Sequence, residues 1–247
     1  SRNGMSNYFA RFSPDGKWYG PIKWEGQFFL LGSDGTRAPL RLPGDASLYG
    51  GHAAWSPSGR HVAIIKGEDS LVIDVARGTA ILIAFMEGKP TMDSWSYRKC
   101  RWNPWSRDGH RLAFVREGQI CMSNFDGNEL RQLTFDRSRK CAPTFSPDGK
   151  RIAYVAWQPD NRRHYTRYGP TDLWVVDVET TLSARVTAPA SGGIHCLDWL
   201  DDNTLIFDRF EAGLDVSDPA ERYHSTLRRL ELKRPGIWPN PADDAVK

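Results

Sequence analysis

Phe145-Ser146-Pro147-Asp148-Gly149-Lys150-Arg151-Ile152-Ala153-Tyr154 reads as an aromatic strand end, a tight turn and the start of a second strand. Pro presets φ for the first turn position, Asp bonds its own backbone, and Gly accepts a positive φ. Ser before Pro stays extended, as a strand end requires. The unit recurs at Phe12-Ser13-Pro14-Asp15-Gly16, Trp55-Ser56-Pro57-Ser58-Gly59 and Trp105-Ser106-Arg107-Asp108-Gly109. A degenerate copy, Trp199-Leu200-Asp201-Asp202-Asn203, lacks Ser-Pro and Gly. One turn motif is weak evidence; periodic copies are strong.

Working outward, an apolar β-like run follows each turn: Trp18 to Trp24, His61 to Lys66, Arg111 to Arg116, Arg151 to Trp157 and Thr204 to Phe210. A second run comes next: Gln27 to Leu31, Leu71 to Val75, Gln119 to Ser123, Asp172 to Val178 and Thr226 to Leu232. A turn then leads, in most units, to a short closing run: Leu40 to Leu42, Ala80 to Ala84, Leu130 to Thr134 and Ala184 to Thr187. With the strand before the anchor aromatic, each unit holds four strands in a period of about 47 residues, as in a propeller blade. No segment has a strong helical pattern.

The run Phe145 to Tyr154, together with the ending Leu130-Arg131-Gln132-Leu133-Thr134 after Asp126-Gly127, resembles the PD40, or WD40-like, repeat of the TolB-like β-propellers. The resemblance covers roughly residues 5 to 232. It implies an all-β fold, a β-propeller of four-stranded antiparallel blades. The expected single domain, 1–247, has blades near 5–48, 49–91, 95–137, 138–189 and 192–235, and 236–247 is a tail or closing strand. Five blades are visible. A five-bladed ring, a six-bladed ring and an arc of a longer chain all fit, and a closed ring must cover the edges of its terminal blades. Residues before Tyr8, or Arg234 to Lys247, are the segments available to supply a missing outer strand. By resemblance only, a periplasmic or exported location is favoured; a cytoplasmic one fits the residues equally.

Composition narrows the function. The 247 residues carry 33 basic and 30 acidic side chains, a formal charge of +3, too balanced for the clustered basic face of a nucleic-acid binder. No apolar run reaches the roughly 18 residues of a membrane-spanning helix. Ser1-Arg2-Asn3-Gly4 opens no signal-peptide apolar region. Cys100, Cys121, Cys141 and Cys196 lack zinc-site spacing; four part-buried thiols are expected, with one or two disulfides as the alternative. No cofactor is implied.

Blade topology places the chemistry. The Ser-Pro-Asp-Gly turns share one face with the loops after the third strand, and the other face carries the loops between second and third strands plus the inter-blade connections. Inner-strand starts there pair Tyr8/Phe9, Gly51/His52, Arg101/Trp102, Cys141/Ala142 and His195/Cys196. The two longest insertions open on that face from adjacent blades. One, Gln158 to Thr171, contains Arg162, Arg163, His164, Tyr165, Arg167 and Tyr168. The other, Glu211 to Ser225, contains Asp215, Asp218, Glu221, Arg222, Tyr223 and His224. A third long segment, Met86 to Tyr97, adds Asp93 and Trp95. Arg forks and Tyr rings suit a carboxylate, a phosphate, a sugar or an acidic peptide, and both residues are interface anchors. The expected binding set is therefore His52, Arg101, Trp102, Arg162, Arg163, His164, Tyr165, Arg167, Tyr168, His195, Arg222, Tyr223 and His224. The contrasting expectation is a solvated loop tip packed on its neighbour. His52, His195, Cys141 and Cys196 are the only metal candidates, and their spread over three blades argues for packing instead; no metal is expected. Asp74 and Asp177, like Asp15, Asp108 and Asp148, read as turn acceptors.

No G-x-S-x-G, G-x-x-x-x-G-K-[ST] or H-E-x-x-H occurs. The expected function is a non-catalytic platform for a protein or peptide, with a small acidic ligand or carbohydrate as other occupants. The alternative is a polysaccharide lyase or glycoside hydrolase using His and Arg at the channel mouth, some propellers similar to this one being lyases; no catalytic residue is carried over.

Overall fold

The computed structural model describes residues 10–25, 27–42, 52–66, 69–84, 103–157, 171–187, 193–210 and 225–232. These form five antiparallel sheets in chain order, with no helix among the described residues. The first holds β1 (Arg11–Phe12), β2 (Trp18–Trp24), β3 (Gln27–Gly32) and β4 (Arg37–Leu40). The second holds β5 (His52–Trp55), β6 (His61–Lys66), β7 (Asp69–Asp74) and β8 (Thr79–Ala84). The third holds β9 (Arg111–Arg116), β10 (Gln119–Asn124) and β11 (Arg131–Gln132). The fourth holds β12 (Lys140–Phe145), β13 (Arg151–Trp157), β14 (Thr171–Asp177) and β15 (Ser183–Arg185), and the fifth β16 (Ile194–Asp201), β17 (Thr204–Phe210) and β18 (Ser225–Glu231). Within each sheet strands follow one another as neighbours, the meander of a propeller blade.

Among the described residues, two blades show fewer than the expected four strands. In the third, the inner strand shrinks to one bridge, Trp105 opposite Leu112, beside Pro104, which has no N–H to donate. Its closing run, expected over Leu130 to Thr134, narrows to β11 because Thr134 pairs through its side chain: Ile120 N donates to Thr134 Oγ1 at 2.9 Å. Thr187 repeats the device in the fourth blade, accepting from Leu173 N at 3.0 Å. The threonine ending the repeat thus replaces a ladder bond where the outer strand peels away. The fifth blade has three strands among the described residues; the residues before Tyr8 and Arg234 to Lys247, either of which the sequence makes available as a closing strand, lie outside them.

The Ser-Pro-Asp-Gly turn is a small hydrogen-bonded unit. In the fourth blade Ser146 Oγ donates to Asp148 Oδ1 at 2.6 Å and accepts from Arg151 N at 3.0 Å, while Lys150 N donates to the same Asp148 oxygen. Ser13 and Ser106 repeat this with Asp15 and Asp108. In the second blade Ser58 substitutes for Asp, with longer contacts. Hydrogen bonds from Ser13 and Lys17 N hold the Asp15 carboxyl below its ordinary value. For Asp108 and Asp148, burial pulls the carboxyl up but the Ser and backbone bonds outweigh it. Gly149 closes its turn at φ 68°, where a Cβ would lie 2.4 Å from the Arg111 guanidinium of the preceding blade.

Adjacent blades are joined through the anchor aromatics. Trp55, Trp105 and Trp199 each donate their indole N–H, at 2.9–3.0 Å, to an inner-strand carbonyl of the blade before: Arg11, Ala54 and Thr144. Over the anchors lie side chains from the same strand position: His61 stacked near Trp105, Arg111 over Phe145, and Arg151 over Trp199. Arg111 and Arg151 also reach across to donate to the Gly149 and Asp202 carbonyls. Apolar clusters fill each seam, for example Ile152, Tyr154 and Val176 of the fourth blade against Val115 and Ile120 of the third. Trp55, Trp105, Phe145 and Trp199 are accordingly 3–8% exposed, whereas Phe12, with no described blade before it, is 70% exposed.

Candidate functional site

Two kinds of end define the molecule's faces. The Ser-Pro-Asp-Gly turns and the turns joining third to fourth strands share one. On the other, Trp157 pairs with Thr171 and Phe210 with Ser225 at the ends of their ladders. Segments 158–170 and 211–224 therefore leave from neighbouring blades on the same face.

The seam between the fourth and fifth blades is apolar deep down and charged at the rim. On β17, Leu205 and Phe207 pack against Val155, Leu173 and Val175 of the fourth blade. Strand alternation puts the next residue of that row, Arg209, at the rim. Arg209 is 9% exposed, and its Nε and Nη2 are buried without a hydrogen-bond partner. Burial pushes its guanidinium below its ordinary value, against the attraction of Asp172, and Arg228 adds like-charge repulsion. Asp172, itself buried, has Arg185 Nη1 at 3.9 Å from its Oδ2. Thr171 Oγ1 accepts from Ile194 N at 2.7 Å, fastening the rim of one blade to the next.

A second buried cation sits between the third and fourth blades. Lys140, its side chain 0% exposed, donates to Ser138 O at 2.8 Å, Asp136 Oδ1 at 3.1 Å and Gln119 Oε1 at 3.2 Å. Its three donors are matched by three acceptors. Burial lowers the Lys140 ammonium, with Asp136 pulling the other way. Burial raises Asp136, but bonds from Ser138 and Lys140 more than compensate and leave it below its usual value. This closed network fixes the inter-blade connection and offers nothing to a ligand.

Of the residues expected from sequence, His52 lies in β5 opposite Ile65, and His195 in β16 within a bulge between Ile194 and Leu197. Arg101, Trp102, Arg162, Arg163, His164, Tyr165, Arg167, Tyr168, Arg222, Tyr223 and His224 lie outside the described residues. Cys141 and Ala142, expected at the channel lining and in close packing there, are buried: a bulge turns Ala142 to φ 55°, and both join a cluster that includes Ile65 of the second blade. Cys121 is also buried and Cys196 exposed. Among the described residues no group of His, Cys, Asp and Glu is arranged to hold a metal, and no helix is long and apolar enough to cross a membrane. Asp74 accepts from Arg77 N and Asp177 from Glu179 N and Thr180 N, the turn roles read from sequence. Sequence reasoning missed Arg209, Asp172 and Lys140; the available signal was a charged residue at an inward-facing position of an otherwise apolar strand.

Blades of this construction, stapled through anchor aromatics and repeated in chain order, define an all-β propeller of the TolB-like fold. A solved structure described as a TolB from Agrobacterium tumefaciens superimposes with a TM-score of 0.56 at 21% identity, over 94% of this chain and 78% of that one. The tricorn protease superimposes with a TM-score of 0.54 at 10% identity, over 83% of this chain and 23% of that one. In sequence, an uncharacterised protein of Agrobacterium fabrum is 27% identical over 220 residues, 84% of this chain and 66% of the relative. The uncharacterised peptidase YuxL of Bacillus subtilis is 27% identical over 150 residues, 59% of this chain and 21% of the relative. The chain thus spans just under two thirds of the first relative's length. No family model matches it. The link to peptidases is distant, and nothing in these comparisons supports a polysaccharide lyase or glycoside hydrolase.

Proposed function

We propose that this chain is a non-catalytic propeller that binds a protein or peptide through the face opposite the Ser-Pro-Asp-Gly turns. The observation that supports this reading is the pairing of Trp157 with Thr171 and of Phe210 with Ser225, which puts the strand ends flanking 158–170 and 211–224 on the same face of adjacent blades. Rigid sheets hold the roots of both segments, and long segments on a rigid scaffold are where binding concentrates. Arg162, Arg163, Arg167, Arg222 and the tyrosines among them are residue types that offer forks and flat rings to a partner, and His52, Arg101, Trp102 and His195 complete the proposed set. The test is affinity for a captured partner after Arg162, Arg163 and Arg167 are all changed to Glu. At least a 100-fold loss is expected, of the order that loss of two hot-spot arginines produces, with the urea midpoint unchanged. Unaltered affinity refutes the placement.

The likeness to YuxL and to the tricorn protease favours a second reading, in which the propeller serves a larger peptidase by controlling access to it. No Ser elbow lies in these residues, so the hydrolytic chemistry would be carried elsewhere in such a protein. Peptidase activity of the full-length gene product, lost when the propeller is removed, would establish that reading.

A further inference from the structure

We infer that Arg209 is an anion-recognition point at the seam of the fourth and fifth blades, and that it takes a carboxylate of the bound peptide. The inference rests on the platform reading above and names the chemistry that the platform selects.

The two nitrogens of Arg209 without a hydrogen bond, Nε and Nη2, lie along one edge of the guanidinium. That edge presents two parallel N–H groups, the geometry that grips a carboxylate with both oxygens. A buried donor pair without an acceptor is costly and rare in folded proteins. Here the cost falls on a charged group placed above a wholly apolar row, Leu205 and Phe207, where an aliphatic residue would pack without it. Asp172 attracts the Arg209 guanidinium while Arg228 repels it, and Arg185 Nη1 lies 3.9 Å from Asp172 Oδ2. Arg209 stands one residue before Phe210, which pairs with Ser225 at the end of the ladder on the proposed binding face. Carboxylate is favoured over a spherical anion because the orphaned donors form a planar fork rather than a cluster of point charges.

Thermal denaturation and calorimetric titration of the whole chain with succinate and with acetyl-Glu-Glu-amide test this, using sodium chloride at matched ionic strength as control and inorganic phosphate as a further arm. A saturable rise in Tm with both carboxylate probes is expected. It should weaken at least tenfold in Arg209→Lys, which keeps the charge but loses the fork, and vanish in Arg209→Gln. No rise overturns the inference, as does an equal rise in Arg209→Gln, or binding of phosphate in place of both carboxylates. If Arg209→Gln does not fold, Arg209→Lys decides. Probe binding that depends on Arg209, alongside undiminished partner capture by the triple Glu variant, sinks the platform placement and leaves the anion point standing; the opposite pattern does the reverse.

Discussion

Trp105→Ala should lower the unfolding free energy by about 3–5 kcal/mol, the range for removing a buried large aromatic. Trp105 is 3% exposed and fills the second seam with Leu112, Phe114 and Ala63. Its indole N–H also bonds Ala54 O at 2.9 Å, joining the inner strand of one blade to the anchor of the next. Trp105→Phe keeps most of the packing and loses the bond, so it should cost only about 1–2 kcal/mol. The same truncation at Phe12, 70% exposed, should cost no more than about 0.5 kcal/mol, as at an ordinary surface site. Urea unfolding of the three variants compares these directly. Equal losses at Trp105 and Phe12 would mean that the anchors do not hold the seams.

Asp136→Ala should cost about 2 kcal/mol although Asp136 is itself 56% exposed on its side chain. Leaving a buried cation unpaired typically costs about 3–5 kcal/mol, and the half-exposed partner tempers this. The ammonium of Lys140 would keep Gln119 and Ser138 but lose its only anionic acceptor. Lys140→Met removes the charge together with its need for a partner and should be close to neutral. The sign of the pH dependence follows from the direction of the Lys140 shift. Its folded-state value is depressed, so the unfolded chain binds the extra proton and stability rises as pH rises through that interval. Losing Asp136 deepens the depression, so the deficit of Asp136→Ala should shrink as pH is raised towards about 10, the ordinary Lys value. A pH-independent deficit would count against a charge-based account; the urea midpoint at several pH values measures it.

The blades were legible because their chemistry is local. Ser146, Asp148 and Gly149 act within one turn, so their spacing alone announces the structure, and four repeats with one worn copy establish the period. The outer strands were read less well, since whether Leu130 to Thr134 pairs by backbone or through Thr134 Oγ1 depends on how far the strand peels from its neighbour. The bulge at Cys141 and Ala142 is not visible to residue counting, because one extra residue shifts the alternation of side chains along the strand. Arg209 was hidden for a different reason. Its burial is tertiary, and no local pattern tells an arginine packed at a seam from one facing water.

Hydrogen exchange of the chain, alone and saturated with its partner, tests the assignment of faces most directly. Protection is expected at the strand ends around Trp157, Thr171, Ile194, Phe210 and Ser225, with the turns at Ser13, Ser56, Ser106 and Ser146 unchanged. Protection confined to those Ser-Pro-Asp-Gly turns, with the opposite ends unaffected, would contradict the account.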